Sequence, residues 1–187
     1  MWRQVPALRK LTGRFRSEAA KPSAPECPTG KRRAWFHAVV LSSAILAWPS
    51  AEVEGAAFAL RGETIYMSGR IVAADTLRLS GLIGRARVIV LESEGGLVAA
   101  ASYMAQMIHR ARLTTIVRGD CASACTIMFY AGARRELSGR LGFHSATDEV
   151  GTANYVAQMR RYGAPAEAVR WIKKTPASRI TWLGESQ

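Results

Sequence analysis

The chain has 187 residues, 49% of them hydrophobic, which suits one soluble core with a tail left over rather than two full domains. Its formal net charge is +12, but nine of the 26 basic residues precede Ala34 against two acidic ones, so much of the excess belongs to the N-terminal region. That distribution argues against a nucleic-acid partner, which needs Lys and Arg gathered on a folded face within a recognisable module; no finger spacing, aromatic ribonucleoprotein pattern or basic-region zipper is present. Residues 1–33 therefore read as a basic, flexible region, with Pro22, Pro25 and Pro28 disfavouring packed structure. From Trp35 to Trp48 an apolar run follows Lys31, Arg32 and Arg33, the pattern of a signal peptide and short for a membrane span of about 20 residues. Residues 34–57 are thus expected to be a signal peptide, cut near Ala51 or Ala57, giving a periplasmic or secreted protein. Two alternatives stay open: a later start codon, or retention as an inner-membrane anchor through residues 34–50.

The folded part is expected over residues 58–187. A strand is expected from Thr64 to Met67, and Asp75 is placed to cap a helix from Thr76 to Ile83. Arg87 to Leu91 centres on a continuous β-branched run, as in a parallel strand covered on both faces. Glu92-Ser93-Glu94-Gly95-Gly96 ends it in a glycine turn. From Leu97 the apolar spacing changes to three and four, through Ala101, Met104 and Ile108, the signature of an amphipathic helix. Leu113 to Val117 is the next strand, and a buried helix is expected from Ala122 to Tyr130. Arg134 to Ser138 is polar, and Leu141 to His144 is a brief strand. Two helices close the reading, Ala153 to Arg161 and one opened by Pro165. Strands alternating with helices assemble as right-handed β-α units, an α/β fold.

Ser123 lies among small residues between a strand and an apolar helix, where a nucleophile has room and backbone N–H groups stand unused. The Ala124 N–H and the turn at Gly95 and Gly96 are candidate donors to an oxyanion of acyl transfer. His37 falls in the leader, and His109 ends the amphipathic helix beside Arg110 and Arg112, so His144 is the candidate base. Cys121 and Cys125 flank the serine and admit three readings: a disulfide, two small buried side chains, or metal ligands. The metal reading is the weakest, since two cysteines without a convergent histidine leave a zinc site incomplete. Were both on one helix, their Cβ spacing of about 5–6 Å would be wide for a disulfide.

The segments Ser93-Glu94-Gly95-Gly96, Gly119-Asp120-Cys121-Ala122-Ser123-Ala124-Cys125-Thr126 and Leu141-Gly142-Phe143-His144 resemble, in order and spacing, the secreted or periplasmic ClpP-like proteins of the ClpP/crotonase superfamily. The resemblance runs from Thr64 to Leu183 and implies a core of repeated β-β-α units wound into a superhelix. It also implies Ser123 as nucleophile, His144 as base, and an oxyanion hole around Gly95, Gly96 and Ala124. Two departures stand out. Glu94 occupies the usual proline position of the turn, and the stretch from Thr175 to Thr181, where the protease has its aspartate, holds no acid; Asp148 and Glu149 are the nearest carboxylates in sequence. The expected function is an exported serine hydrolase, a peptidase acting on a peptide or protein substrate, with no cofactor or metal. The alternative is a catalytically inactive domain binding a peptide or protein in the same groove; acyl-CoA chemistry is a weaker third, because an exported protein rarely meets CoA. The resemblance further implies assembly into a homo-oligomer.

Overall fold

Short apolar runs separated by tight turns build one sheet, and its strand order decides where Ser123 ends up. The computed structural model describes residues 54–184. In chain order these form β1 (Ala57–Arg61), β2 (Thr64–Ser68), α1 (Asp75–Ile83), β3 (Val88–Ser93), α2 (Val98–Arg110), β4 (Thr114–Ala122), α3 (Cys125–Tyr130), β5 (Arg134–Leu137), β6 (Arg140–Phe143), α4 (Glu149–Arg161), α5 (Ala166–Lys174) and β7 (Thr181–Gly184). The strands lie in the order β1-β2-β3-β4-β6-β7, with β5 also on β4. Pairing is parallel from β2 through β4 to β5 and β6, and antiparallel at the edges where β1 meets β2 and β7 meets β6. The result is a mixed α/β fold, a central sheet flanked by helices.

Ile65 and Met67 of β2, Ile89 and Leu91 of β3, and Val117 of β4 are fully buried in one core that also takes Ala101, Met104, Ala105 and Ile108 of α2. Each large side chain of this set contributes about 1.5–3 kcal/mol on burial. Val88 and Val90 of β3 are only half-buried, so the run expected to be covered on both faces is packed deeply on one and partly on the other. All six residues of α3 are buried, which explains why that segment carries no polar face in the sequence.

β3 and β4 stay in register from Val88 opposite Thr114 to Leu91 opposite Val117, and then Ser93 faces Cys121, so β4 advances four residues while β3 advances two. This irregularity bends β4 and divides it between two partners. Thr114–Val117 pairs with β5, and Asp120–Ala122 pairs with β6. The bend delivers the end of β4 to the glycine turn after β3.

Several expectations are corrected. Asp75 is the first residue of α1 rather than its cap, which is Ala74 without a side-chain bond. The Asp75 carboxylate is instead fully buried, accepting from Val72 N–H (2.8 Å) and Ala56 N–H (3.2 Å) and pairing with Arg78 (3.0 Å). Ala56, two residues before the expected start at 58, is itself buried. The helix after Ser123 begins at Cys125 rather than Ala122, and α4 begins at Glu149 rather than Ala153 because Asp148 caps it by accepting from Gly151 N–H (2.7 Å). The polar stretch Arg134–Leu137 is a strand whose four residues are all exposed, which removes the alternation that would have announced it. The inner-membrane anchor finds no support: among the described residues no helix is long and apolar enough to cross a membrane, and residues 34–50, like His37, lie outside the described residues.

Candidate active site

β4 ends at Ala122 and α3 begins at Cys125, so Ser123 and Ala124 make the whole turn between strand and helix. Ser123 meets that demand with φ +52°, a left-handed conformation shared, among the described non-glycine residues, only with Arg112. Holding a side-chain-bearing residue there costs about 1–3 kcal/mol and requires surroundings that fix it. Those surroundings are present on both sides of the residue. The Ser123 N–H donates to the Gly142 carbonyl of β6 (2.8 Å), and the Ser123 carbonyl accepts from the Thr126 N–H (3.0 Å), Thr126 Oγ1 (2.7 Å) and the Tyr155 hydroxyl of α4 (2.8 Å). Cys121 of β4 and Cys125 of α3 close the turn with a disulfide, their Cα atoms 5.4 Å apart. The helical spacing that argued against this bond does not apply, because Cys121 is on the strand.

The glycine turn packs directly on this elbow. A Cβ on Gly95 (φ +100°) would stand 2.7 Å from Ser123 Cβ and 3.2 Å from the Ala124 nitrogen. Gly96 (φ +142°) backs onto the Ile71 main chain, where Ile71 N–H donates to Gly95 O (2.8 Å) and Leu97 N–H donates to Ile71 O (2.9 Å). Ser93 organises the turn: its hydroxyl donates to Gly69 O (2.6 Å) and accepts from Gly95 N–H (3.0 Å). The Gly95 N–H is therefore engaged inside the turn. The N–H groups of Gly96 and Ala124 have no acceptor among the described residues.

Ser123, 8% exposed, and His144, half-buried just past β6, line one cavity of about 640 Å³. Ile71, Val72 and Leu97 give it an apolar wall, and Arg70, Glu94, Asp148 and Asn154 give it polar margins. Glu94 is exposed. No hydrogen bond joins Ser123 Oγ to His144; the His144 Nδ1 instead lies 2.6 Å from the Ser145 carbonyl oxygen. A carbonyl only accepts, so in the neutral ring Nδ1 carries the proton and Nε2 presents a lone pair. Ser145 is held in turn by its N–H to Thr175 O (2.8 Å), and Thr175 Oγ1 is paired with Thr181 Oγ1 (2.8 Å). A backbone carbonyl thus stands where the sequence reading looked for a carboxylate. Asp148 lies on the cavity but is engaged as the α4 cap, and neither it nor Glu149 bonds His144. His109 sits apart, with Nδ1 3.3 Å from Ala131 O and its ring against Tyr162.

Sequence reasoning did not assign Ser93, Thr126, Tyr155 or the Ser145 carbonyl to the site. Ser93 had a local signal, a small hydroxyl two residues before a glycine. Tyr155 had none, because its partner is 32 residues away in the chain.

No protein-family model and no curated protein matches the chain. Among solved structures it is similar to that of a point mutant of ClpP1 from Listeria monocytogenes, with 21% sequence identity over 66% of this chain and 83% of that one, at a TM-score of 0.51. At that identity the likeness speaks for the fold alone, and it gives the described residues a ClpP-type α/β architecture.

Proposed function

We propose that the domain over residues 58–187, built on a ClpP/crotonase-like repeated β-β-α superhelical core, is a serine hydrolase acting on peptides. The observation that carries this reading is the left-handed Ser123 on a strand-to-helix turn, opening into the cavity that His144 also lines with its Nδ1 turned to the Ser145 carbonyl. In the reaction, Ser123 Oγ attacks an acyl carbon while its proton passes to His144 Nε2, and the departing amine takes that proton back; water then repeats the sequence to release the acyl group. The Ala124 and Gly96 N–H groups donate to the oxyanion. Ser145 O keeps the imidazole in the required tautomer without supplying the negative charge that a carboxylate would add. Catalytic hydrogen bonds are often long before a ligand binds, and the reading requires Nε2 to reach Ser123 Oγ in the complex.

The second reading is a silent domain that binds a peptide in the same cavity, favoured by the open Ser123–His144 contact and the lack of a carboxylate on His144. Intact mass spectrometry of the full chain after exposure to a fluorophosphonate separates the two. The hydrolase reading expects one label, lost in Ser123→Ala and slowed in His144→Ala. A folded wild type that takes no label sinks it in favour of the binding domain.

A further inference from the structure

We infer that Tyr155 and Thr126 are positioning residues that set the Ser123–Ala124 peptide plane, and through it aim the Ala124 N–H at the oxyanion; this rests on the hydrolase reading. The peptide unit is planar, and no described peptide bond is cis, so the Ser123 carbonyl and the Ala124 N–H point to opposite sides. The carbonyl faces the interior. Tyr155 is fully buried, and its hydroxyl lies 2.8 Å from Ser123 O and 2.6 Å from Thr126 Oγ1, which is itself 2.7 Å from the same carbonyl. Two hydroxyl protons serve three oxygen–oxygen contacts, so the triangle is filled by exchange between donors and always leaves the carbonyl at least one hydroxyl proton beyond the Thr126 N–H.

With the carbonyl held inward, the Ala124 N–H faces the other way. That N–H has no acceptor among the described residues, and beside it the turn carries only a glycine: a Cβ on Gly95 would come within 3.2 Å of the Ala124 nitrogen and 2.7 Å of Ser123 Cβ. Burial raises the Tyr155 hydroxyl well above its ordinary range, so it remains a donor throughout the working pH. Were the plane to rotate, the carbonyl oxygen would enter the oxyanion space and repel the charge that forms there.

The test compares Tyr155→Phe, Thr126→Val, the double variant and Thr126→Ser in the full chain, using a fluorophosphonate. Ser123 Oγ bonds to phosphorus, fluoride leaves, and the Oγ proton goes to His144, so the inactivation rate constant reads the oxyanion contacts while the probe's binding constant reads the cavity. We expect the rate constant to fall about tenfold in Tyr155→Phe and about 10²-fold in the double variant, the scale of a lost oxyanion donor. The binding constant stays within about twofold, and Thr126→Ser, which keeps the hydroxyl, labels like wild type. A folded Tyr155→Phe labelling at the wild-type rate, or equal falls in binding and rate, overturns the inference. If wild type takes no label the hydrolase reading fails by itself. Crystal structures then decide the positioning role: a Ser123–Ala124 plane rotated in the double variant, or failing that in Tyr155→Phe, supports it, and an unchanged plane overturns it.

Discussion

Replacing Gly95 by alanine tests the packing of the turn on the elbow. The new Cβ would meet Ser123 Cβ at 2.7 Å and Ala122 O at 2.8 Å, a side-chain atom and a backbone atom both fixed by a main chain held by β6, α3 and the disulfide, and it would do so at φ +100°. The conformation costs about 1–3 kcal/mol, and overpacking adds about 1–3 kcal/mol, for a total of about 2–6 kcal/mol. That is a large share of the roughly 5–15 kcal/mol that holds a domain folded. Two other glycines separate the terms. Gly163 (φ +70°) has nothing within 4 Å of its ideal Cβ, so Gly163→Ala carries the conformational cost alone, about 1–2 kcal/mol. Gly81, exposed within α1 and equally open, is at no positive φ, and Gly81→Ala gains about 0.5–1 kcal/mol. Urea unfolding of the full chain followed by tryptophan fluorescence gives all three differences, and fluorophosphonate labelling should be lost in Gly95→Ala alone. A Gly95→Ala cost no larger than that of Gly163→Ala would refute the close approach.

The disulfide is checked by tryptic mapping without reductant: peptide 119–134, holding Cys121 and Cys125, should be two hydrogens lighter than after reduction, and an unchanged mass refutes the bond. Its short loop predicts a stability loss of about 2 kcal/mol on reduction. Asp75→Ala leaves the Val72 and Ala56 N–H groups without their acceptor and should cost about 1–3 kcal/mol in the same unfolding assay; a neutral result would mean that this buried carboxylate does not tie α1 to the segment before β1. Burial raises Tyr155, and to a lesser degree Tyr130 and Tyr162, above the ordinary value of 10.0. The folded state then keeps protons that the unfolded state releases, so this stability is complete below about pH 10 and is lost as pH rises toward the raised values, at about 1.4 kcal/mol per unit for the fully buried Tyr155. Tyr155→Phe should make that alkaline decline shallower by one proton, and an unchanged slope would count against a buried Tyr155 hydroxyl.

The α/β class, the central strands and the positions of Ser123, His144 and the glycine turn could all be read from the chain, because each rests on local signals: β-branched runs, a change of period at Leu97, and small residues where backbones meet. The edge strands β5 and β7 could not. A strand with both faces exposed carries no alternation, and four residues are too few to impose one. Which atoms complete the site was also a tertiary matter. Sequence suggested the Gly95 amide as an oxyanion donor, and Ser93 takes it; it sought a carboxylate for His144, and the Ser145 carbonyl stands there. It judged the cysteine pair on an unbroken helix, whereas β4 runs on to Ala122 and the left-handed Ser123 turns the chain before α3 begins at Cys125. Hydrogen bonds between residues far apart in the chain leave no pattern in it, so the identity of the turn was written locally while the direction of each N–H and carbonyl was decided by Tyr155, Thr175 and the bend of β4.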